Sequence, residues 1–331
     1  MEVLTVEYRN GLQECIHRGR IAVVGEKGRL LYHVGDMQAM TYFRSASKPM
    51  QVLPLLIQSI DKTYELNAKE LAAMSGSQGG QPEHILVLEE LLKKTGFSEA
   101  DLIIKPCLPE DAKSREDVIR SNGRLRSIYH LCAGKHLAAM MLQKHLTGNQ
   151  AGYWKPESDA QQCILEYISK FSGIPAEHIR LGIDGCGVPV FAVPFSAIAS
   201  AYQKLAAPQT AFEEPWIQSI VRIQEAMNEH PILVRRTGHI CSVLNEDDNL
   251  IVKDGSQGVL GIGMKKEKIG IAIKIEDGSE HTMPAIVKEI FRQIGYKNPT
   301  LKKRLEEMYD DKVYNNQGDV IGDIRAGFCL V

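Results

Sequence analysis

Apolar segments with strand-like spacing stand near both ends of this chain, and segments with helical spacing fill the stretch between them. The run "RIAVVGEKGRLLYHVGD" has two short apolar parts around Glu26-Lys27-Gly28, which predicts a β-hairpin. Further along, "NLIVKDG", "GVLGIGM" and "KIGIAIKIEDG" are separated by polar or glycine-rich loops, which predicts a meander, and "DVIGDIRAGFCLV" predicts a final strand. We therefore expect an α/β protein with a mainly antiparallel sheet, flanked by helices and carrying a helical insertion.

Helical periodicity dominates the middle of the chain. In "KPMQVLPLLIQSI" the apolar residues recur at near-helical spacing, Pro49 suits a first turn, and Pro54 predicts a kink. Other helices are predicted at "NAKELAAM", "PEHILVLEELLKKTG", "GKHLAAMMLQKHLTG", "DAQQCILEYISKFSG", "FEEPWIQSIVRIQEAMNEH", "TMPAIVKEIFRQIG" and "TLKKRLEEMY". No linker marks a boundary, so we expect one domain over 1–331, with a sheet from about 1–45 and 235–331 and a mainly helical middle over about 46–234.

Composition excludes several classes of function. The formal net charge is −2, so nothing indicates a nucleic-acid partner or a polybasic membrane patch. The first residues lack a secretory pattern, and no apolar run reaches the length of a membrane span. The seven cysteines are irregularly spaced, which favours reduced thiols and a cytoplasmic location and leaves metal binding open.

The first candidate for chemistry is "RSASKPMQ", where Ser45 and Lys48 stand three positions apart at the start of a predicted helix. Residues three apart share one helix face, and a neutral lysine can take the proton of a serine hydroxyl. S-x-x-K occurs in β-lactamases and penicillin-binding proteins. As a bare pattern it is weak, and it is more typical of a helix cap formed by Ser45 or Ser47.

Two further segments have a functional and a plain interpretation. "SGSQGGQPEH" is rich in small residues that let a ligand approach the backbone, and it is also a normal connection between helices. Lys253-Asp254-Gly255 resembles the K-[ST]-G strand of the β-lactamase group, with Asp254 in the middle position, and it also fits a hairpin turn with an exposed lysine.

A metal site is the third candidate. Cys132 and Lys135 in "HLCAGKH" and Cys186 in "DGCGVPV" stand beside glycines. Two thiolates and a neutral amine can hold zinc, although lysine is a rare ligand and paired C-x-x-C or histidine ligands are missing. Small buried cysteines at tight turns explain the same residues.

Taken together and in order, these motifs resemble one family. "RSASKPMQ", "SGSQGGQPEH", "LCAGKH", "GIDGCGVPV", "VKDG" and "GIAIKIEDG" are similar to the type II asparaginases of the Rhizobium etli kind, over most of the chain. The resemblance implies a fold like that of serine β-lactamases and penicillin-binding proteins. It also implies a homodimer that cleaves the side-chain amide of L-asparagine to L-aspartate and ammonia, with a zinc ion.

The resemblance also implies roles for individual residues. The catalytic pairs of the family match Ser45 with Lys48 and Ser77 with Lys253. The family residues that hold zinc match Cys132, Lys135 and Cys186, and those around the substrate match Arg44, His136 and Asp184. Arg44 then suits the α-carboxylate of the substrate and Asp184 its α-amino group.

This chain departs from the family pattern at positions where the family has histidine, glutamate, asparagine and serine. These positions are Gln78, Gln81, Leu131 and Ala133. The four residues that would activate hydroxyls remain, so we expect an acyl-enzyme mechanism in which Lys48 takes the proton of Ser45. Attack by Ser77 with Lys253 stays open. So do two other functions: an amidase or peptidase for another amide, and a descendant that binds a small ligand without turnover.

Overall fold

The computed structural model covers residues 1–331 and contains eleven strands. They are β1 (Glu2–Arg9), β2 (Leu12–Val24), β3 (Leu30–Val34), β4 (Met40–Tyr42), β5 (Arg180–Ile183), β6 (Pro189–Pro194), β7 (Leu250–Gly255), β8 (Val259–Met264), β9 (Ile269–Ile275), β10 (Lys312–Tyr314) and β11 (Val320–Ala326). Eight of them form an antiparallel sheet in the order β10-β11-β1-β2-β9-β8-β7, with β3 paired to β2. A smaller sheet has the order β4-β6-β5.

Helices flank the sheet and fill the middle of the chain. They are α1 (Lys48–Ile57), α2 (Ile60–Thr63), α3 (Ala68–Ser75), α4 (Pro82–Thr95), α5 (Ala112–Arg120), α6 (Ala133–Thr147), α7 (Asp159–Ser172), α8 (Phe195–Ala206), α9 (Trp216–Glu229), α10 (Pro231–Val234), α11 (Ile240–Asn245), α12 (Met283–Gln293) and α13 (Pro299–Met308). The predicted α/β class, with a mainly antiparallel sheet and flanking helices, is confirmed. None of the helices combines the length and apolarity that a membrane crossing requires.

Several helix ends follow local sequence signals. Gly96, Gly148 and Gly173 end α4, α6 and α7 with positive φ angles, which glycine adopts without strain. Pro49 lies in the first turn of α1 as predicted, and the helix continues through Pro54 to Ile57. Pro54 therefore does not end the helix.

The central strands are buried on both faces. Ala22 and Val24 of β2 face the larger core, which contains the helices of the middle segment, whereas Ile21 and Val23 face a second core with α11, α12 and α13. Side chains alternate between the two faces of a strand, so an apolar residue at every position is what a doubly covered sheet requires.

Helix α8 lies unusually close to the sheet because glycines stand beneath it. A Cβ atom at Gly261 of β8 would lie 2.0 Å from the Tyr202 ring, and one at Gly270 of β9 would lie 2.0 Å from the carbonyl oxygen of Ala199. The glycines that separate the apolar residues of these strands thus determine how closely α8 packs on the sheet. This packing places Tyr202 against the candidate site.

Candidate active site

Ser45 and Lys48 lie where a short 3₁₀ segment, Arg44–Ser47, leads into α1. The Lys48 backbone N–H donates to the Ser45 carbonyl, and side chains three apart eclipse each other in such a turn. Neither serine caps α1 through its side chain, because Ser47 Oγ donates to Arg44 O at 2.9 Å and Ser45 Oγ has no hydrogen-bond partner. The capping interpretation of these serines is therefore wrong.

Lys48 contacts Ser77 directly. Its Nζ lies 2.8 Å from Ser77 Oγ, 2.9 Å from Gly76 O and 3.2 Å from Leu131 O. A neutral amine has two N–H groups and one lone pair, and carbonyl oxygens only accept. A neutral Lys48 that donates to both carbonyls therefore presents its lone pair to the Ser77 hydroxyl, which is the arrangement of a general base.

The surroundings of Lys48 favour this neutral form. Its side chain is fully buried, and burial lowers its pKa to about 8, with a further contribution from the positive charges of Lys135 and Lys253. Near neutral pH a small fraction of the amine is therefore unprotonated and able to act as a base.

Ser77 is held by its backbone. Its N–H donates to Val234 O at 2.8 Å, and its carbonyl accepts from the Arg235 guanidinium at 3.2 Å. The preceding Gly76 lies against the same segment, since a Cβ there would lie 2.5 Å from Leu233 O. The small residues that the sequence analysis related to ligand approach thus let two protein segments pack closely.

Lys253 does not pair with Ser77, contrary to the pairing expected from the resemblance. It lies within β7, it is fully buried, and its Nζ donates to the carbonyl and the carboxylate of Asp254. The alternative interpretation, an exposed lysine at a hairpin turn, is also wrong. Asp254 in turn accepts from the Arg235 guanidinium at 3.3 Å, so Lys253 belongs to a buried charge network next to Ser77.

Tyr202 connects the Ser45 segment with the Lys253 strand. Its Oη donates to Ala46 O at 2.7 Å and lies 3.3 Å from Lys253 O. The ring is fully buried, and burial raises the pKa of Tyr202, so it remains a hydrogen-bond donor. The Ser45 segment and the Lys253 strand thus both contact the same hydroxyl group, that of Tyr202 on α8.

The candidate catalytic side chains are all enclosed in this structure. Ser45 is 5% exposed and Ser77 2%, while Lys48 and Lys253 are not exposed at all. A groove of about 770 Å³ lies elsewhere, between α12 and α13. Substrate entry therefore needs a local opening at the candidate site.

The predicted substrate-binding residues Arg44 and Asp184 form an ion pair with each other. Arg44 Nε donates to Asp184 Oδ1 at 3.0 Å, Arg44 Nη2 lies 3.0 Å from the same oxygen, and Asp184 Oδ2 lies 3.4 Å from Lys135 Nζ. Burial alone would raise the pKa of Asp184, but the positive charges of Lys135 and Arg44 hold it below its usual range. Arg44 also adopts a left-handed φ of 51°, which a non-glycine residue rarely does.

His136 lies apart from these two residues. It is fully buried on α6, with Nδ1 2.8 Å from Tyr153 Oη, and its Nε2 has no hydrogen-bond partner. Burial lowers its pKa to about 3, so the ring is neutral. Its predicted contact with substrate stays a prediction.

The predicted zinc residues come together as a buried group. Ligand atoms of Cys132, Cys186 and Asp184 lie within 4.8 Å of one another. A hydrogen bond between the two thiols lowers the pKa of Cys132 and raises that of Cys186, so the pair favours one thiolate. Two sulfurs and a carboxylate are a donor set that suits Zn²⁺.

Lys135, the third predicted zinc residue, lies in the same group, with its Nζ 3.4 Å from Asp184 Oδ2, and its role as a ligand stays a prediction. Burial opposes its charge, yet the negative charges of Cys132, Cys186 and Asp184 hold its pKa above the usual range. Without a metal the Lys135 ammonium neutralises the anionic group, and as a zinc ligand it would release this proton when the ion binds. Asp184 offers a further ligand atom in the same group.

The changed family positions have local structural roles. Gln78 is fully buried, its Nε2 donates to Ile128 O and His130 O, and its Oε1 accepts from Gly80 N–H. At Gln81 the side-chain oxygen accepts from Thr237 N–H at 2.9 Å. Leu131 contributes its carbonyl oxygen to Lys48 and Ala133 begins α6, and neither function depends on the side chain.

The ion pairs and hydrogen bonds of Arg235, next to Ser77 and Lys253, had not been predicted from the sequence. Arg235 binds Asp254, the Ser77 carbonyl and the Glu110 carboxylate, and it is 6% exposed. Nothing in the local pattern around Arg235 marks it as buried, and nothing around Glu110 marks it as the partner of Arg235. Only Asp254, next to Lys253, was visible as part of a motif.

With this geometry in place, the chain can be compared with known proteins. Three solved structures of Mglu resemble it: a native form (15% identity, TM-score 0.44, 83% of this chain and 64% of that one), a native form in 4.3 M NaCl (16%, 0.46, 83% and 60%) and a tris and glutamate form (16%, 0.39, 88% and 63%). The chain thus spans less than two thirds of these Mglu chains. A search of curated proteins finds no match.

The sequence model of one protein family matches nearly the whole chain. Its description is L-asparaginase II, and the match extends over residues 5–326, from β1 to the end of β11. The resemblance carried by the Ser45, Ser77 and Cys132 motifs is therefore confirmed. The family is one of hydrolases that act on amides, and this chain belongs to it.

Proposed function

We propose that this protein hydrolyses the side-chain amide of L-asparagine to L-aspartate and ammonia through an acyl-enzyme on a serine. Family membership supports amide hydrolysis, and the hydrogen bond between Lys48 Nζ and Ser77 Oγ carries the proposed mechanism. That contact brings a buried, readily neutralised amine to a hydroxyl from a distant segment, which is the device that serine nucleophiles need.

Lys48 serves both serines in this proposal. Ser45 shares a face with Lys48, and its hydroxyl has no hydrogen bond to lose before it attacks. In the reacting complex Lys48 turns its lone pair from Ser77 to Ser45 and takes the Ser45 proton as the Ser45 oxygen bonds to the amide carbon. Ser77 then passes the proton from Lys48 to the amide nitrogen, the C–N bond breaks, and ammonia leaves. Water, deprotonated through the same pair, cleaves the ester and releases aspartate.

The ion pair between Arg44 and Asp184 fits an α-amino acid. A zwitterionic substrate can present its α-carboxylate to Arg44 and its α-ammonium to Asp184, so that each protein charge exchanges one partner for another. The Arg44 side chain is 26% exposed, whereas Asp184 is 7% exposed, so Arg44 is the side that solvent reaches. We propose that the substrate enters by separating this pair.

A zinc ion is the cofactor that the cysteine group would take, held by Cys132 and Cys186 with Lys135 as the third predicted ligand and Asp184 beside them. When bound, it supplies positive charge that fixes the turn after β5 against the start of α6. Metal content of purified protein tests this. Cys132→Ser and Cys186→Ser should each lose one equivalent of Zn²⁺, and Cys15→Ser, at an exposed cysteine, should lose none.

The decisive experiment for the activity is ammonia release from asparagine, glutamine and a panel of other amides. We expect asparagine to be cleaved and Ser45→Ala, Ser77→Ala and Lys48→Ala each to lose about 100-fold or more, and a loss of the same size in Lys253→Ala would support the catalytic role of Lys253 that the resemblance implies. Ser47→Ala is the matched control, because the Ser47 hydroxyl already donates to Arg44 O and accepts from Gln51. Mass spectrometry of trapped enzyme should place the acyl group on Ser45, and a label on Ser77 would exchange the roles of the two serines.

Two outcomes would point to the alternatives. Release of ammonia from another amide, with none from asparagine, would indicate a related amidase. Tight binding of asparagine without product, unchanged in Ser45→Ala, would indicate a binding protein, a function that the substitutions at Gln78, Gln81 and Leu131 bring into consideration. The homodimer stays a prediction of the resemblance, and the cytoplasmic location stays a prediction from the irregular spacing of the cysteines.

A further inference from the structure

A second group of metal-ligand side chains lies where the β1–β2 hairpin meets the turn before α12. Oε1 of Glu7, in β1, lies 2.8 Å from His17 Nε2 and 2.6 Å from His281 Nε2. His17 belongs to β2, and His281 to the 3₁₀ turn Glu280–Thr282. No side chain of this group is bonded to the proposed catalytic residues.

The second nitrogen of His17 is also occupied by a carboxylate. Its Nδ1 lies 2.6 Å from Asp277 Oδ2, in the turn after β9. A neutral imidazole has one N–H and one lone pair, and an ionised carboxylate only accepts. If Nδ1 donates to Asp277, the Nε2 lone pair of His17 faces the Glu7 oxygen, and this contact is favourable only when a cation, either a proton or a metal ion, lies between the two atoms.

The geometry points to a metal ion, and we propose that Glu7, His17 and His281 bind a divalent transition-metal ion of the zinc class. The three ligand atoms lie within 4.8 Å of one another. The two rings are perpendicular, with centroids 5.4 Å apart, so both Nε2 atoms can point to one ion without a clash. Zinc binds imidazole nitrogen and carboxylate oxygen at about 2.0–2.2 Å, and replacing the shared protons needs only small movements of these side chains.

Asp277 is placed to fix the orientation of the His17 ring. Histidine ligands of metals usually donate their other ring nitrogen to a carboxylate, which fixes the tautomer and the orientation of the ring. The Asp277–His17 contact is this arrangement. Imidazole nitrogens favour zinc and its neighbours among the transition metals, whereas calcium and magnesium favour oxygen-only sites.

Access and burial fit the proposal. The His17 and Glu7 side chains are 7% and 14% exposed, whereas His281 is 58% exposed. An ion can therefore enter from the His281 side and keep a water molecule as its fourth ligand, as open three-residue sites do. Because the ligands come from β1, β2 and the turn before α12, the ion would fasten the N-terminal hairpin to the C-terminal part of the fold.

The test counts zinc equivalents by equilibrium dialysis of purified protein at neutral pH. Wild type should bind one equivalent more than His281→Ala, and His178→Ala, at another exposed histidine, should match wild type. His281 is largely exposed, so its removal should leave the far-ultraviolet circular dichroism unchanged. Asp277→Asn should retain the equivalent with an affinity about 10–100-fold lower.

Cobalt separates this site from the cysteine group. Co²⁺ bound by thiolates gives strong sulfur-to-metal charge-transfer bands, whereas Co²⁺ bound by histidine and carboxylate gives only weak visible bands. His281→Ala should lose the weak bands alone. Equal zinc equivalents in wild type and His281→Ala, or no cobalt signal beyond that of the thiolates, would overturn the proposal and leave the group a hydrogen-bonded ion-pair cluster.

Discussion

Lys48 Nζ and Ser77 Oγ lie 2.8 Å apart, although 29 positions separate the two residues in the chain. Burial lowers the pKa of Lys48 to about 8. A general base must be unprotonated, so we expect kcat/KM for asparagine to rise with pH and to level off above about 8. The measurement is ammonia release across the pH range in which the fold is intact. If kcat/KM does not change with pH in this range, or if it reaches its plateau well below pH 7, Lys48 is not the general base.

The same shift makes a prediction about stability. The folded protein releases the Lys48 proton near pH 8, whereas the unfolded chain keeps it up to the usual value of 10.5. The unfolded state therefore binds more protons in this window, so the Lys48 contribution to the free energy of unfolding increases as pH rises from about 8. The matched comparison is Lys48→Met, which should show less increase over the same window in urea unfolding.

Gln78 is expected to resist reversion to the histidine typical of the family. Its amide makes three buried hydrogen bonds, to Ile128 O, His130 O and Gly80 N–H, and an imidazole has two ring nitrogens. Gln78→His leaves at least one buried group unpaired, so the free energy of unfolding should fall by about 1–3 kcal/mol. Urea denaturation measures the change.

Gln81→Glu is the companion reversion. Its carboxylate keeps an oxygen for Thr237 N–H, so stability should change by less than about 0.5 kcal/mol. Equal losses in Gln78→His and Gln81→Glu would show that the Gln78 network contributes little to stability.

The charge network behind Ser77 depends on Arg235. This residue is 6% exposed and binds the Asp254 carboxylate, the Ser77 carbonyl and Glu110. Arg235→Gln leaves Asp254 without one of its two cationic partners in a buried place, so the free energy of unfolding should fall by about 3–5 kcal/mol. The reaction rate should fall as well, because Ser77 loses a backbone contact.

The control for Arg235 is its neighbour Arg236, a half-buried residue whose side chain makes no hydrogen bond or ion pair. Arg236→Gln should therefore change stability by no more than about 0.5 kcal/mol. If the two variants unfold at the same urea concentration, the Arg235 network does not support the site.

The sequence revealed the parts of this protein that depend on local patterns. The strands Leu250–Gly255 and Ile269–Ile275 were visible because apolar runs between turn residues are typical of buried strands. The Ser45–Lys48 relation was visible because spacing fixes a helix face. The partner of Lys48 was not, since Ser77 reaches it only through the packing of α3 against α1, and no local pattern contains that contact.

Asp184 shows the same limit of prediction from local sequence patterns, here within the site. The sequence placed a carboxylate next to Cys186, but the choice between substrate, metal and ion pair depends on which cations approach it. The two cations next to Asp184 are Arg44 and Lys135, which come from segments distant in the sequence. Arg235 was invisible for a related reason: charged residues are usually exposed, and only tertiary packing buries this one.

Tyr202 offers the most direct test of whether the Ser45 segment and the Lys253 strand must be held in fixed relative positions for the reaction. Its hydroxyl donates to Ala46 O at 2.7 Å, next to Ser45, and lies 3.3 Å from Lys253 O. Tyr202→Phe keeps the ring that fills the space over Gly261 but leaves the Ala46 carbonyl unpaired, so stability should fall by about 1–3 kcal/mol. We expect kcat to fall by about tenfold, with KM changed less, because the reacting groups rather than the bound substrate lose their alignment.

Tyr296→Phe separates loss of alignment from loss of stability. The Tyr296 hydroxyl donates to Asp247, on the side of the sheet that packs against α13. Its removal should cost a similar amount of stability in urea denaturation and leave kcat for asparagine within about twofold of wild type. If Tyr296→Phe lowers kcat as much as Tyr202→Phe does, the effect of Tyr202 is general destabilisation, and the two segments need no common anchor on α8.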